Sequence, residues 1–416
     1  MSFDAEVVRA EVREWLAANW DPDSTLAEWR EKLCDSGWGC PTWPQQWCGR
    51  GLPAAAQAMV SAEFARVGGV APPEGVGMQL ASPTLLEHGS DDLKARFLRD
   101  TVAGRIIWCQ LFSEPSAGSD LAGLTTRAVR DGDDWVVNGQ KVWNTSARHA
   151  DYGLLLARTD PGVPKHRGLT YFVLPMKQPG VEVRPLRQMN GHASFNEVFL
   201  SDARLPADYV IGEVGGGWAV ALTTLAHERR MTIQTQPVAK DGGRVAREAY
   251  QESLQLREPY KWYPQRAGRV DLAIERAKSH PGGPTVRREV ARLFGLASVS
   301  RWTAERAAAA RAVGKPPGPE GSLGKLANSN VARAAMRVHA MLAGPEAMLA
   351  GADGPADGLV AEILLSVPAV SIAGGADEIQ RNIIGERVLG LPKEPSVDTT
   401  IPFAEVQKNA TRLAKE

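Results

Sequence analysis

Residues 107–145 read IWCQLFSEPSAGSDLAGLTTRAVRDGDDWVVNGQKVWNT. The run before the proline carries Trp108, Leu111 and Phe112 and predicts a strand. Ser113-Glu114-Pro115-Ser116-Ala117-Gly118-Ser119-Asp120 then forms a loop of small, hydroxyl-bearing residues. Asp131-Gly132 and Asn138-Gly139 are turn dipeptides that favour tight reversals, so a hairpin pattern follows. Gly and Ser allow backbone N–H groups to approach an anion closely. One hairpin later, Trp143 adds a flat apolar wall and Thr145 a hydroxyl. From the residues alone, this chemistry suits a planar cofactor carrying a pyrophosphate. A Gly/Ser-rich turn between two strands is the alternative.

Outward from this stretch the hydrophobic period changes twice. On the N-terminal side, residues 3–20 place Val7, Val8, Val12, Trp15 and Leu16 at helical spacing. A second helix is expected over 25–35, with Leu26, Trp29 and Leu33, and further helices over 53–68 and 91–104. The Pro-, Gly- and Trp-rich run GWGCPTWPQQWCGRGL between them cannot be helix throughout. The first hundred residues thus predict an all-α unit. Over 107–208 the period is two, with short β-rich runs separated by Asp160-Pro161-Gly162 and Pro179-Gly180, which predicts a compact antiparallel sheet or barrel. From Gly215 onward helical spacing returns, with segments over 216–235, 240–257, 285–312, 323–350 and 357–389 and a Pro/Gly loop at 313–319. Long helices in this number suggest a bundle.

The 416 residues are enough to bury several cores. Lys plus Arg and Asp plus Glu are 48 each, which argues against a general nucleic-acid or anionic-membrane surface. Cys34, Cys40, Cys48 and Cys109 show no CxxC spacing, so neither a disulfide framework nor a zinc site is expected, and a cytoplasmic, reducing location fits. The acidic start MSFDAEVVRAEVREW has no apolar core of a signal peptide, and no stretch approaches the roughly 20 apolar residues of a membrane span.

The loop and hairpin together resemble the flavin-binding segment of the acyl-CoA dehydrogenase family, S/T-E-P-x-A-G-S-D followed by G-x-K-x-W-x-S/T. The second half is Gly139-Gln140-Lys141-Val142-Trp143-Asn144-Thr145 here. The early connector also resembles the family's GW…WP…GGRGL, with Cys48 at the first of the paired glycines. The resemblance implies an α+β multidomain fold. An N-terminal all-α domain (1–106) precedes a central antiparallel β-barrel (107–213) and a C-terminal four-helix bundle (214–416), with FAD between barrel and bundle. It further implies that the backbone of Gln110, Leu111 and Phe112 and the Ser113 side chain face the isoalloxazine ring. Gly118 and Ser119 would line the pyrophosphate and the pantetheine of the substrate. Trp143 would stack beside the ring, and Asn144 and Thr145 complete that motif, Thr145 near N5. Arg229 would lie along the CoA chain. The basic loop Lys165-His166-Arg167 reads as a solvated hairpin tip, with a CoA phosphate contact as the alternative.

The family's reaction removes an α-proton from an acyl-CoA thioester while the β-hydrogen leaves as hydride. It needs a carboxylate over the α-carbon and hydrogen bonds to the thioester oxygen. Many members carry the base in Tyr-Glu-Gly-Thr shortly before I-Q-R. The matching string is Ala373-Gly374-Gly375-Ala376-Asp377-Glu378-Ile379-Gln380-Arg381, so Gly374 stands at the usual glutamate. The family's second location, just before an arginine on the first long helix of the bundle, matches Glu228 in Leu225-Ala226-His227-Glu228-Arg229. Helical spacing puts Trp218, Ala221, Leu225 and Thr232 on the side of Glu228, and an apolar face raises a carboxyl pKa toward a useful range. Structural ion pairing of Glu228 with Arg229, Arg230 or a barrel residue is the alternative. Gly374 would contribute its N–H to the thioester oxygen. Asp377 and Glu378 read as acids of a helix's first turn.

Two family motifs are not recognisable. R-x-x-F-G has no match near 248–290, and Arg292-Leu293-Phe294-Gly295 is one residue short; Q-x-x-G-G-x-G keeps one glycine at 341–347. Such drift resembles actinobacterial members, some acting on steroid or other bulky thioesters and some forming mixed oligomers. The resemblance implies a dimer or tetramer served by an electron-transfer flavoprotein. The rival readings are a flavin monooxygenase or oxidase on the same scaffold, and a non-catalytic partner subunit of a heteromeric dehydrogenase.

Overall fold

The computed structural model describes residues 4–229, 242–280, 282–312, 320–393, 395–396 and 398–406. The expected helical residues at 230–235 and the loop at 313–319 lie outside them. The chain forms two compact units. One holds the described residues within 1–186, 194–259 and 396–416, the other those within 187–193 and 260–395.

In the first unit the helices are α1 (Ala5–Asn19), α2 (Leu26–Ser36), α3 (Ala55–Val67), α4 (Ser82–His88) and α5 (Asp91–Val102). Asp4 caps α1 by accepting from the Glu6 and Val7 amides, and α2 starts on a capping box between Thr25 and Glu28. The apolar stripe expected on the first helix is buried as Val8, Val12 and Leu16. These helices close on a fully buried Trp29, ringed by Trp15, Trp20 and Phe64, whose indole N–H donates to the Val70 carbonyl at 2.7 Å. The single-turn π segment Gly77–Ala81 leading into α4 was not expected, because Gly75 and Pro83 punctuate the pattern there.

The sheet has seven strands: β1 (Trp108–Leu111), β2 (Arg127–Asp131), β3 (Asp134–Thr145), β4 (Tyr152–Arg158), β5 (Leu169–Pro175), β6 (Val181–Leu186) and β7 (Phe195–Pro206). Their order is β1-β4-β2-β3-β7-β6, with β5 paired to β4. Pairs β2–β3, β3–β7, β4–β5 and β6–β7 are antiparallel, the turn signals at Asp131-Gly132 and Asp160-Pro161-Gly162 accounting for β2–β3 and β4–β5. β1 runs parallel to β4, an arrangement that a local turn cannot make and that pattern alone does not show. β4 and β5 are buried almost end to end, matching their continuous apolar runs.

Helix α6 (Gly217–Glu228) packs on β5 at its glycine start, where a Cβ on Gly217 would lie 2.5 Å from the Thr170 carbonyl carbon. One turn before its end, Thr224 bonds the Tyr171 hydroxyl (2.9 Å) and the Thr84 hydroxyl (2.8 Å). α7 (Gly243–Arg257) completes the first unit, with Val245, Ala246 and Ala249 in the Trp29 core.

The second unit contains α8 (Tyr263–Arg266), α9 (Val270–Ser279), α10 (Pro284–Ala312), α11 (Glu320–Ala343), α12 (Leu359–Ser366) and α13 (Asp377–Arg387). Ala273, Leu293, Ala335 and Val338 form one of its buried clusters, built from α9, α10 and α11. The expected helix over 357–389 is two helices, interrupted by a 3-10 turn and by Gly374 and Gly375 at φ +67° and +83°. Among the described residues no helix is long and apolar enough to cross a membrane.

Candidate functional site

A buried ion pair holds the Ser-Glu-Pro loop against the sheet. Lys141 of β3 is wholly buried, and its ammonium donates to Glu114 Oε1 (2.9 Å) and to the Phe112 and Leu156 carbonyls (3.0 and 2.8 Å). Glu114 also accepts from the Thr125 amide (2.7 Å), the Thr125 hydroxyl (2.8 Å) and the Thr126 amide (2.9 Å). Burial alone would raise the Glu114 pKa, but Lys141 and the Thr126 and Thr125 donors outweigh it and bring the carboxyl down to about 2. Burial in turn lowers the Lys141 pKa, opposed by Glu114. With the Val142 amide donating to the Ser113 carbonyl (2.9 Å), strand and loop are locked together.

Trp143 lies at a register shift between Lys141 and Asn144 in the β3–β7 pairing, with φ +65°. Such a bulge re-aims a side chain out of the sheet. The indole is 54% exposed and meets Phe195 edge-on, ring centroids 5.6 Å apart. Asn144 points the other way: it is buried, and its amide donates to the Gln110 carbonyl at 2.7 Å. Asn196 Nδ2 in turn donates to the Asn144 carbonyl at 2.8 Å.

Side chains along this edge thus divide in two. Leu111, Phe112, Glu114, Lys141 and Asn144 are buried and make the frame, while Gln110, Ser113, Gly118, Ser119, Trp143 and Thr145 reach solvent. Among the described residues no protein group bonds the hydroxyls of Ser113, Ser119 or Thr145. A Cβ on Gly118 would meet nothing within 4 Å. A flat indole, three open hydroxyls and an uncrowded glycine on a rigid frame fit a flavin's ring and phosphates.

Glu228 is the last residue of α6, on the face of Thr224 one turn earlier. Gln110 Nε2 donates to Glu228 Oε2 at 3.1 Å. Burial raises the Glu228 pKa; the Gln110 hydrogen bond and the Arg229 charge oppose this without cancelling it. The helix C-terminus, where the unpaired carbonyls carry partial negative charge, acts in the same direction as burial. Arg229 is the exposed residue that caps the helix. His227 lies near Glu87, Nε2 to Oε2 4.0 Å. Sequence order places Gln110 and Glu228 118 residues apart, so only the fold brings amide and carboxylate together.

Gly374 belongs to the second unit. It precedes α13 at φ +67°, and Gln380 Nε2 donates to its carbonyl at 3.1 Å. Among the described residues no acceptor takes the Gly374 N–H. Asp377 opens α13 and is buried against Lys325 (2.9 Å) and Arg333 (3.2 Å), and Glu378 faces Arg381 (3.2 Å), so both acids are held by structural ion pairs. Lys165 is not at a solvated tip. It is buried, pairing with Asp120 (2.9 Å) and with Asp398, and Phe403 lies under the Arg158 guanidinium. The sequence reading missed this because the residues that cover the loop come from more than 230 positions downstream.

Three family models match the chain: acyl-CoA dehydrogenase, N-terminal domain, over 2–105; middle domain, over 109–203; and C-terminal domain, over 267–389. The acyl-CoA dehydrogenase IpdE1 of Mycobacterium tuberculosis is 35% identical, covering 94% of this chain and 99% of that protein. Among solved structures, the Tcur3481-Tcur3483 steroid ACAD superposes with a TM-score of 0.64 at 25% identity, over 94% of this chain and 98% of that one. The ChsE4-ChsE5 complex from Mycobacterium tuberculosis gives 0.63 at 27% identity, over 95% and 100%.

Proposed function

The chain belongs to the acyl-CoA dehydrogenase family of oxidoreductases, and on that premise we propose that it is an FAD-dependent α,β-desaturase of a bulky acyl-CoA thioester with Glu228 as its base. The observation that carries this reading is the Gln110–Glu228 contact at 3.1 Å, which holds a carboxylate of raised pKa beside the Ser113–Trp143 edge. The three-domain division at 106 and 213 belongs to the same reading.

FAD would be held by the backbone of Gln110, Leu111 and Phe112, by Ser113, Gly118 and Ser119, and by Trp143, Asn144 and Thr145; it supplies the acceptor for the β-hydride. Glu228 takes the α-proton onto its carboxylate. Its raised pKa brings its basicity closer to that of the weak carbon acid, and the Gln110 amide keeps one oxygen oriented. By the family resemblance, the Gly374 N–H would serve the thioester oxygen as enolate charge develops. A glycine at the family's usual glutamate offers no second carboxylate at that position. Arg229, exposed beside the base, runs along the CoA chain.

The names of the neighbours support a steroid-like substrate and a partner chain. One solved neighbour is titled a steroid ACAD and the other a two-protein complex. This favours, as the second reading, a heteromer in which the chain supports a homologous subunit, with a homo-oligomer of two or four copies as the first. An electron-transfer flavoprotein is the oxidant on either reading. Four unpaired cysteines fit a reducing, cytoplasmic setting.

The test is the visible spectrum of the purified protein before and after anaerobic addition of acyl-CoA thioesters, straight-chain and steroid. A flavin band near ~450 nm bleached by a steroid thioester is the expected result. A flavin band that no thioester bleaches removes the dehydrogenase reading. A folded protein that takes up no FAD leaves the partner-subunit reading in its place.

A further inference from the structure

Three of the four cysteines meet in the N-terminal helical region, away from the edge described above. Cys34 and Cys40 form one small buried cluster with Val102 and Ala103, and Cys48 packs against it with Trp43 and Met78. Cys34 stands in the last turn of α2, buried, with Sγ 3.8 Å from the Arg99 carbonyl. Cys48 follows the short 3-10 turn Gln45–Trp47 and is only partly buried. Its backbone is left-handed, φ +59°, a conformation that a residue with a Cβ seldom adopts. The next residue holds it there. Gly49 bridges Cys40, and a Cβ on Gly49 would lie 2.1 Å from the Trp43 carbonyl oxygen. The thiol is therefore fixed at the cluster's accessible rim.

The electrostatics differ among the three. The neighbouring Cys34 thiol and the Arg99 guanidinium bring the Cys48 pKa down to about 7 despite partial burial. Arg99 is itself held by Asp35 (2.7 Å) and Glu31 (2.6 Å). Cys34 is pushed upward by the neighbouring Cys48 and then by burial, and Cys40 upward by burial. A metal is not the explanation, since among the described residues no group of three His, Cys, Asp or Glu side chains suits one.

We propose that Cys48 and Cys34 are a peroxide-oxidisable thiol pair, Cys48 the attacking and Cys34 the resolving sulfur. Partial burial leaves Cys48 within reach of a small oxidant, and the shared cluster places the Cys34 sulfur where it can follow. Cys48 thiolate attacks one oxygen of a hydroperoxide; the O–O bond breaks, water or an alcohol leaves, and Cys48 becomes a sulfenic acid. Cys34 sulfur then attacks the Cys48 sulfur, the S–O bond breaks, and the Cys34 proton leaves with the hydroxide as a second water. The two thiols lose two electrons, and the peroxide is reduced by the same two. A thiol reductant reverses the bridge by exchange. The bridge would staple the 41–52 loop to the end of α2.

The test uses the full-length protein treated with hydrogen peroxide, alkylated and mapped by mass spectrometry without and with reductant. The expected result is a reductant-sensitive link between the peptides of Cys34 and Cys48, with Cys40 and Cys109 still thiols. In Cys34→Ala the link is lost and Cys48 is captured as sulfenic acid by a dimedone probe. In Cys48→Gly, which keeps the left-handed backbone, peroxide leaves Cys34 and Cys40 as thiols. At neutral pH, iodoacetamide should label Cys48 on the order of tenfold faster than a thiol of ordinary acidity. A link from Cys40 to Cys48, oxidation of Cys109 as fast as Cys48, or unchanged oxidation in Cys48→Gly would overturn the pairing.

Discussion

Glu114 and Glu228 are two carboxylates of the same unit, and their surroundings push them in opposite directions. Glu114 accepts from an ammonium, two backbone amides and a hydroxyl, and sits at about 2. Glu228 accepts one amide from Gln110 at the C-terminal end of a helix, and is raised. Glu114 is buried and Glu228 partly so. The difference lies in how many donors meet the anion and in the sign of the nearest dipole. Glu114 belongs to the frame, where a permanent charge is held by a permanent partner. Glu228 is left under-solvated, which is the state a proton acceptor requires.

The largest test of this contrast is Glu228→Gln. It removes the proton acceptor while keeping shape, so turnover should fall by about 10²–10⁴-fold with the flavin spectrum and melting temperature retained. A variant with near-native turnover on its best thioester would remove Glu228 from the mechanism. Lys141→Met probes the opposite member. It strands a buried anion at Glu114 and should destabilise the protein by about 3–5 kcal/mol in denaturant titration. Adding Glu114→Gln should recover most of that loss, because no uncompensated charge then remains; a double variant as unstable as the single one would contradict the pairing. Acid titration has a defined sign here. The folded pKa of Glu114 lies below its unfolded value of about 4.3. Its contribution is therefore complete above that value and is lost as pH falls toward 2.

Trp143 tests the solvent-facing edge that this frame supports. Its left-handed backbone carries strain that glycine does not. Trp143→Gly should be more stable than Trp143→Ala by about 1 kcal/mol, while both bind FAD more weakly because the aromatic wall is gone. Equal stabilities, or unchanged FAD affinity, would show the bulge to have neither role. The smallest expected effect is Gln110→Leu. It deletes a hydrogen bond that lowers the Glu228 pKa, so the acid limb of kcat/KM should move to higher pH with only a modest loss at the alkaline plateau. An acid limb that stays in place would separate Gln110 from the base.

Much of this was readable from residue order. Period-3.6 runs placed α1, α2, α3 and α5 within a few residues, and Asp131-Gly132 placed the β2–β3 hairpin, because capping and turn chemistry act over three or four neighbours; Asn138-Gly139, expected as a second reversal, instead lies inside β3 at a register shift. The Ser113–Asp120 and Gly139–Thr145 strings stood out as a candidate site for the same reason: small residues and a hydroxyl pattern are local. Gly374 was visible too, as a carboxylate missing from a motif. Lys141 stood in the motif, but its partnership with Glu114 was not legible, since hydrogen bonds from strand to loop depend on register.

By itself the sequence determined most of the helix and strand segments and where the Gly/Ser-rich loop lies, and its family resemblance named two positions at which a base would stand. Only the tertiary structure decided that β4 runs parallel to β1, that Gln110 meets Glu228, that Lys165 is buried by the returning 398–406 segment, and that three cysteines converge. The physical reason is distance along the chain. Local signals report the backbone's choice among a few conformations, whereas a pKa is set by whichever groups the fold delivers to within a few ångströms, here from residues more than a hundred positions apart.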